Sequence, residues 1–247
     1  MKYVPLFLVL APCVLLSQEK QKNRAEALFK ELEAKLSKAD TIQCKYRAVM
    51  QVKEGEREKE ASKAEGLLLL QKGNKLHFRL DGQIWLQNPG KVEFTSDGTT
   101  VATVEHKAEK RDPYKEKAPA NLGSAFSASL AREGLLAFVA THIGGGTLAE
   151  NIGDEQDRKK VPPSGFRARG KERIGEVQAE VIEFQTRVPR EKDTSFHVTL
   201  WLHPKTSLPV KRVVKLQTDR KEVWTVTETY EDWKLDEKID PAKFKVP

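Results

Sequence analysis

The sequence predicts a mainly β protein with accessory α-helices: one long antiparallel sheet, preceded by a helix and interrupted by a helical insertion. Three observations carry this expectation. From Gly165 to Pro247, five runs of alternating apolar and polar residues are separated by short turns, and short turns impose sequential antiparallel pairing. Residues 41–105 carry the same period of two. At residues 20–38 and 121–142 the apolar period changes to that of a helix, about 3.6 residues.

In chain order, Lys2, the apolar stretch Val4–Leu16 and the abrupt polar run Gln18-Glu19-Lys20-Gln21-Lys22 have the layout of a secretory signal peptide. The stretch is short for a bilayer span and contains Pro5 and Pro12, so cleavage near Ser17 is expected. Leu10-Ala11-Pro12-Cys13 loosely resembles a lipobox, which makes a lipid anchor on Cys13 the alternative. Residues 18–247 then read as a single domain, since one all-β domain can hold ~200–250 residues. Ala25, Leu28, Phe29, Leu32 and Leu36 give the helix at 20–38 one apolar stripe. From Thr41, Ile42, Cys44, Tyr46, Ala48, Met50 and Val52 alternate with polar residues as a half-buried strand. Cys44 then faces inward as a small apolar residue, with a reactive thiol the sharper alternative.

The charged segment 54–63 is expected to break that strand, and Ala64–Gln71 forms the next. Its Leu67-Leu68-Leu69-Leu70 run implies burial on both faces. Gly73-Asn74 and Asp97-Gly98 are hairpin turns flanked by alternating strands. Residues 106–118 read as an exposed loop. Asn121–His142 then reads as one or two helices broken near Gly134, closed by Gly144-Gly145-Gly146. This insertion is either a core-packing element or a lid over a cavity. After the polar stretch 151–164 come the five C-terminal strands. Phe196, Val198, Leu200 and Leu202 should face inward with Trp201 outward, and Trp224, Val226 and Tyr230 share a face on the last strand.

The composition is 38% hydrophobic and 32% charged, with a formal net charge of +7. That modest, dispersed excess could favour an anionic membrane surface and does not point to nucleic acid. Cleavage at Ser17 leaves Cys44 as the sole cysteine, so no internal disulfide is expected. The sequence contains no His-Glu-x-x-His, Cys-x-x-Cys, Gly-x-Ser-x-Gly or dinucleotide glycine fingerprint. The run Gly165 to Lys171 has phosphate-loop spacing, but Glu172 stands where a hydroxyl should hold magnesium, and the segment reads as strand. His197 and His203 are too far apart to share a metal, and Glu228 and Glu231 read as solubilising surface residues. No catalytic residue, metal or cofactor is therefore expected.

The ordered features Thr41-Ile42-Gln43-Cys44-Lys45-Tyr46, Glu65-Gly66, Ser96-Asp97-Gly98, Trp201, Leu208-Pro209 and Ile239-Asp240-Pro241 with Phe244 together resemble the LolA-like family of periplasmic lipoprotein carriers and sorting proteins. The resemblance covers nearly all of residues 18–247. It implies a strongly curved, incompletely closed β-barrel with helices on the concave side. It also implies a non-catalytic, monomeric periplasmic carrier for lipoprotein or lipid acyl chains, with inner- and outer-membrane delivery proteins as partners. Its apolar cavity would be lined by Tyr46, Leu68, Phe78, Phe126, Leu135, Phe138, Phe196, Val198, Leu200, Trp224 and Tyr230. The same aromatic residues could instead fill a core. The carriers hold the lid with an arginine on an early strand, for which Arg47 and Arg79 are candidates. A regulatory or scaffold module of the same fold, sensing envelope components without transport, is the alternative function.

Overall fold

The computed structural model describes residues 11–83, 90–106, 112–142, 162–187, 195–217 and 222–247. Helix α1 (Ala11–Lys38) leads into five strands, β1 (Thr41–Glu54), β2 (Arg57–Gln71), β3 (Lys75–Gln83), β4 (Gly90–Asp97) and β5 (Thr100–His106). A short strand β6 (Tyr114–Lys117) precedes helices α2 (Leu122–Ala131) and α3 (Leu135–His142). Strands β7 (Ser164–Ile174), β8 (Val177–Arg187), β9 (Ser195–Leu202), β10 (Pro209–Gln217) and β11 (Val223–Leu235) follow, and a 3-10 turn at Pro241–Phe244 is the last element.

All eleven strands form one antiparallel sheet in the order β6-β5-β4-β3-β2-β1-β11-β10-β9-β8-β7. The chain meanders outward from β1 to β6, crosses through α2 and α3 to the opposite edge, and meanders back until β11 pairs with β1 at the centre. Among the described residues, strands β6 and β7 are the two edges, so the sheet is open and not a closed barrel. Its hairpins have the local chemistry they need. In the three-residue loop between paired Gln71 and Lys75, Gly73 and Asn74 both adopt positive φ (84° and 65°), a conformation glycine and asparagine tolerate best. The Asp97 carboxylate accepts from the backbone N–H of Thr99 and Thr100 (2.8 and 2.9 Å) and fixes the Gly98 turn.

One apolar cluster joins α1, α2, α3 and the inner-facing residues of both halves of the sheet. On α1 the buried stripe is Ala25, Phe29, Leu32 and Leu36, and Phe29 packs on Phe166 and Phe184 of β7 and β8 at centroid distances of 5.3 and 4.8 Å. Cys44 is buried in the same interior, and burial pushes its thiol pKa far up, which leaves it inert. The four-leucine run of β2 is covered on both faces, as its sequence implies. Leu68 and Leu70 join the inner cluster, while Leu69 packs with Ile239 and Phe244 of the C-terminal segment on the outer face. Trp201 points outward into a smaller cluster with Ala179 and Val181. Its indole N–H donates to Glu172 (2.8 Å), and the Lys211 ammonium lies 4.8 Å from the ring centroid.

Three expectations are corrected. The helix expected at 20–38 extends back to Ala11, so the expected cleavage position at Ser17 lies within it; residues 1–10 lie outside the described residues. The charged segment 54–63 does not break the first strand. The chain pairs across the Gly55 turn, with Glu54 opposite Arg57 and Lys53 opposite Glu58, as an exposed two-stranded tip. Charge alone does not stop a backbone from pairing locally where the charged side chains reach water, and Ala61 and Ser62 of the same segment are buried. The third is the exposed loop at 106–118, where Tyr114–Lys117 forms edge strand β6. Expectations for Trp85, Gly144–Gly146 and most of the loop at 144–165 lie outside the described residues.

Candidate functional site

The interior is built where the α2–α3 insertion meets the inner face of the sheet. On the N-terminal half, Tyr46 stacks on Phe78 (5.7 Å, nearly parallel), and Phe78 meets Phe94 and Phe126 at 5.9 and 5.3 Å. Phe126 of α2 meets Phe138 of α3 edge-on at 4.9 Å. The close approach is made possible by Gly66 on β2, where a Cβ would strike the Tyr46 ring and the Arg79 carbonyl. Of the residues expected to line a cavity, Tyr46, Leu68, Phe78, Phe126, Leu135, Phe138, Phe196, Val198, Leu200 and Tyr230 are all buried members of this cluster. Trp224 packs against it half-buried, its indole N–H donating to Glu222 (3.1 Å).

The C-terminal half contributes a feature the sequence reading missed. Arg212 on β10 and Glu228 on β11 are directly opposed across the strand pair, both face inward, and both are 0% exposed. Two buried charges in an apolar interior demand partners, and the α2–α3 corner supplies most of them. Arg212 Nη1 donates to the Ser129 carbonyl (3.4 Å), and Nη2 donates to the Leu130 carbonyl. The Glu228 carboxylate accepts from the first backbone N–H groups of α3, Leu135 (3.2 Å) and Leu136 (2.5 Å). These donors have no partner within the helix. Tyr230 accepts from Arg212 Nη1 (2.9 Å) and donates to Glu228. The direct Arg212–Glu228 contact is loose by comparison, 3.6 Å. Burial pushes the Glu228 pKa up, opposed by Arg212, Tyr230 and the two amides.

Gly134 is the residue that lets the corner close. It sits between α2 and α3 at φ +89°, and a Cβ there would overlap the Glu228 carboxylate. The other end of α2 is tied to the opposite half of the sheet. Asn74, in the β2–β3 turn, donates its amide to the Pro119 carbonyl (2.6 Å) and accepts from Gly123 N–H (2.7 Å). Ser127 and Arg132 fasten α2 to α1 through the Leu36 carbonyl and Glu33. The insertion is thus tied down at the start of α2 by Asn74 and latched at the α2–α3 corner by Arg212 and Glu228.

The two arginines expected to hold the insertion do not. Arg47 and Arg79 have side chains 67% and 48% exposed, and they pair with Glu65, Glu231 and Asp81 on the strands. The latch lies on a late strand instead. Glu228, expected at the surface, is one of its two charges. A signal for it exists in the pattern: Trp224, Val226, Glu228 and Tyr230 share one face, so a carboxylate sits in an apolar series. The run of Gly165 to Lys171 is strand β7, not a phosphate loop.

No family model matches the sequence, and comparison with curated proteins found no match. Among solved structures, the chain is similar to the Mycobacterium tuberculosis lipoprotein LppX, at 10% identity and a TM-score of 0.40, over 87% of this chain and 98% of that one. It is similar to the LolA superfamily protein NE2245 from Nitrosomonas europaea, at 10% identity and 0.34, over 90% and 97%. A third is the MucA/MucB complex structure of Pseudomonas aeruginosa, at 10% and 0.40, over 91% of this chain and 61% of that one.

Proposed function

We propose that this protein is a non-catalytic carrier of the cell envelope, exported by cleavage of residues 1–17 and working in the periplasm as a single domain. It shelters lipid or lipoprotein acyl chains between the inner face of the sheet and α2–α3. The observation that supports this reading is the construction of the insertion. Its inner side chains are aliphatic and aromatic, they rest on an equally apolar wall, and the Arg212–Glu228 latch holds the α2–α3 corner. Magnitudes fit a displaceable roof. Withdrawing a sixteen-carbon acyl chain from water gains on the order of 12 kcal/mol at about 0.8 per methylene. Breaking the four latch bonds to the insertion costs on the order of 6–12 kcal/mol, since each involves a charged group. Under a roof that settles back over the cargo, one chain covers even the upper end of that cost and two exceed it about twofold.

The alternative, an envelope regulatory or scaffold module, is favoured by a different observation. Phe126, Phe138 and Phe29 already fill the space against the sheet with side chains of the protein itself. Mass spectrometry of lipid co-purifying with the exported protein, together with uptake of a fluorescent acyl probe, separates the two. A carrier retains acyl lipid and takes up the probe, with loss of latch contacts visible as faster amide exchange at Leu135 and Leu136. Purification free of lipid with no probe uptake would sink the carrier reading in favour of the scaffold.

A further inference from the structure

We infer that the outer face of the sheet, at its central seam, is a docking surface for an anionic lipid bilayer, with Lys63, Lys211 and Lys215 meeting the lipid phosphates. The inference goes beyond the proposed function. It concerns the face opposite the helices and holds for a carrier or a scaffold alike.

The outer face is covered unevenly. Over β2 the C-terminal segment lies on it, with Ile239 and Phe244 against Leu69. Over β8 and β9 a small cluster closes around Trp201. Between these covers, Thr199, Val213, Thr227 and Val49 stand side by side on β9, β10, β11 and β1. They point outward, since Val198, Val214, Val226 and Met50 beside them in the chain are buried within. The adjoining rows run from His197 to Gln51 and from Trp201 to Arg47, and they add Lys215 and Lys211. The block so formed is about 14 Å across the strands and about 13 Å along them. It contains no carboxylate, in a chain of which 32% is charged.

Carboxylates begin at its border. Glu183 holds Arg169 (2.8 Å), and Glu65 and Glu231 flank Arg47 (3.9 and 3.7 Å). Glu60 stands beyond Gln51 at the exposed tip. Lys63 lies opposite Val49 on β2, and among the described residues no carboxylate is within ion-pair distance of Lys63, Lys211 or Lys215. These positive charges surround an uncharged centre of short side chains.

The chemistry of the block favours lipid over a protein partner. Protein interfaces centre on Trp, Tyr or Arg seated in pockets, and lysine is depleted from them. Here Trp201 is only 8% exposed, with Glu172 on its N–H and Lys211 over its ring. Arg47 already faces two carboxylates. A lysine carries a point charge on a flexible stem, which suits phosphates that keep no fixed position. Threonine hydroxyls can donate to the same oxygens. The short β-branched side chains do not reach the hydrocarbon, so docking is electrostatic and reversible. It turns α2 and α3, on the inner face, away from the bilayer.

The test is flotation of the full chain with vesicles of equal parts phosphatidylethanolamine and phosphatidylglycerol, beside vesicles of phosphatidylcholine alone. Binding is expected to the first and not to the second. It should fade as salt shortens the screening length from about 10 Å at 0.1 M to about 3 Å at 1 M. The triple variant Lys63→Thr, Lys211→Thr, Lys215→Thr should bind at least about tenfold more weakly; threonine suits a strand and matches its neighbours. Should it not fold, Lys63→Thr with Lys215→Thr keeps Lys211 over Trp201 and should still weaken binding several-fold. Replacing exposed lysines elsewhere, Lys115→Thr, Lys117→Thr and Lys205→Thr, should change it less than about twofold. Equal losses from the two triple variants would overturn the inference by assigning binding to net charge. Absence of binding, or equal binding to phosphatidylcholine, would overturn it too. Retention on immobilised polyglutamate that needs Lys63, Lys211 and Lys215, without vesicle binding, would overturn it by assigning this face to an acidic protein.

Discussion

The two halves of the sheet hold the same insertion by opposite means. On the β1–β6 side, contact with the helices is made by stacked and tilted rings, Tyr46, Phe78 and Phe94 against Phe126. Such contact is strong in sum but weakly directional. On the β10–β11 side it is made by a buried ion pair whose bonds go to particular backbone atoms of residues 129, 130, 135 and 136. The first wall supplies adhesion and tolerates sliding. The second fixes one register and, once broken, offers no partial substitute. Adhesion of the first kind can be replaced by any hydrocarbon, whereas the polar contacts of the second cannot.

The contrast can be broken most forcefully at Arg212. Arg212→Met leaves Glu228 buried without its counter-ion and should cost about 4 kcal/mol in urea unfolding, whereas Arg212→Met combined with Glu228→Leu should recover most of that loss. Phe78→Ala on the aromatic wall should cost about 3 kcal/mol as transfer plus cavity, with no single second-site truncation restoring it. A recovery at Phe78, or none at Arg212, would erase the distinction between the walls. Next is Gly134→Ala, which combines a positive φ with overlap on the Glu228 carboxylate and should cost about 2 kcal/mol. Amide exchange should show its effect concentrated in α2–α3, with the β1–β4 hairpins unchanged.

The smallest effect is expected far from the latch, on the outer face at His77. Burial lowers its pKa, with Glu93 opposing and Lys243, Lys91 and Arg79 reinforcing. A base lowered on folding contributes stability above its unfolded value, about 6.5, and that contribution is lost as pH falls through its folded value. His77→Gln should therefore flatten the stability curve below that pH and leave the Arg212 effect untouched. A common pH dependence for both variants would mean the outer and inner faces are coupled.

Much of this architecture was legible because it rests on local rules. Gly73-Asn74 and Asp97-Gly98 supply turn conformations few residues adopt, the leucine run of β2 required covers on both faces, and Gly134 divides the helices where a break was expected. Tyr46, Phe78 and Phe126 converge because alternation and helical period place them on inward faces. The latch was not legible for an equally physical reason. Alternation assigns a face, but it cannot show that two inward charges on different strands lie opposite each other. That depends on register, and the irregularity between Pro209 and Lys211 shifts which residues of β10 turn inward. A lone Glu228 read by itself is more economically a surface residue; only Arg212 across the strand pair makes it an interior one. The exposed arm at Glu54–Arg57 and strand β6 were missed because their pairing is a backbone property that charged side chains neither favour nor forbid.

The central position of the β1–β11 pair has a consequence for how the molecule comes into being. Strands formed first and last along the chain meet in the middle of the sheet, with Tyr46 opposite Tyr230 and Ala48 opposite Glu228. Each flank can assemble by short-range hairpins as it emerges, but the seam that joins them waits for residues 223–235. Loop-closure cost and slow long-range pairing fall on that one step. A chain threaded through a narrow pore with its N-terminus leading would thus carry two unjoined flanks until its final strand had passed, and would remain thin enough to keep moving until the work of threading was over.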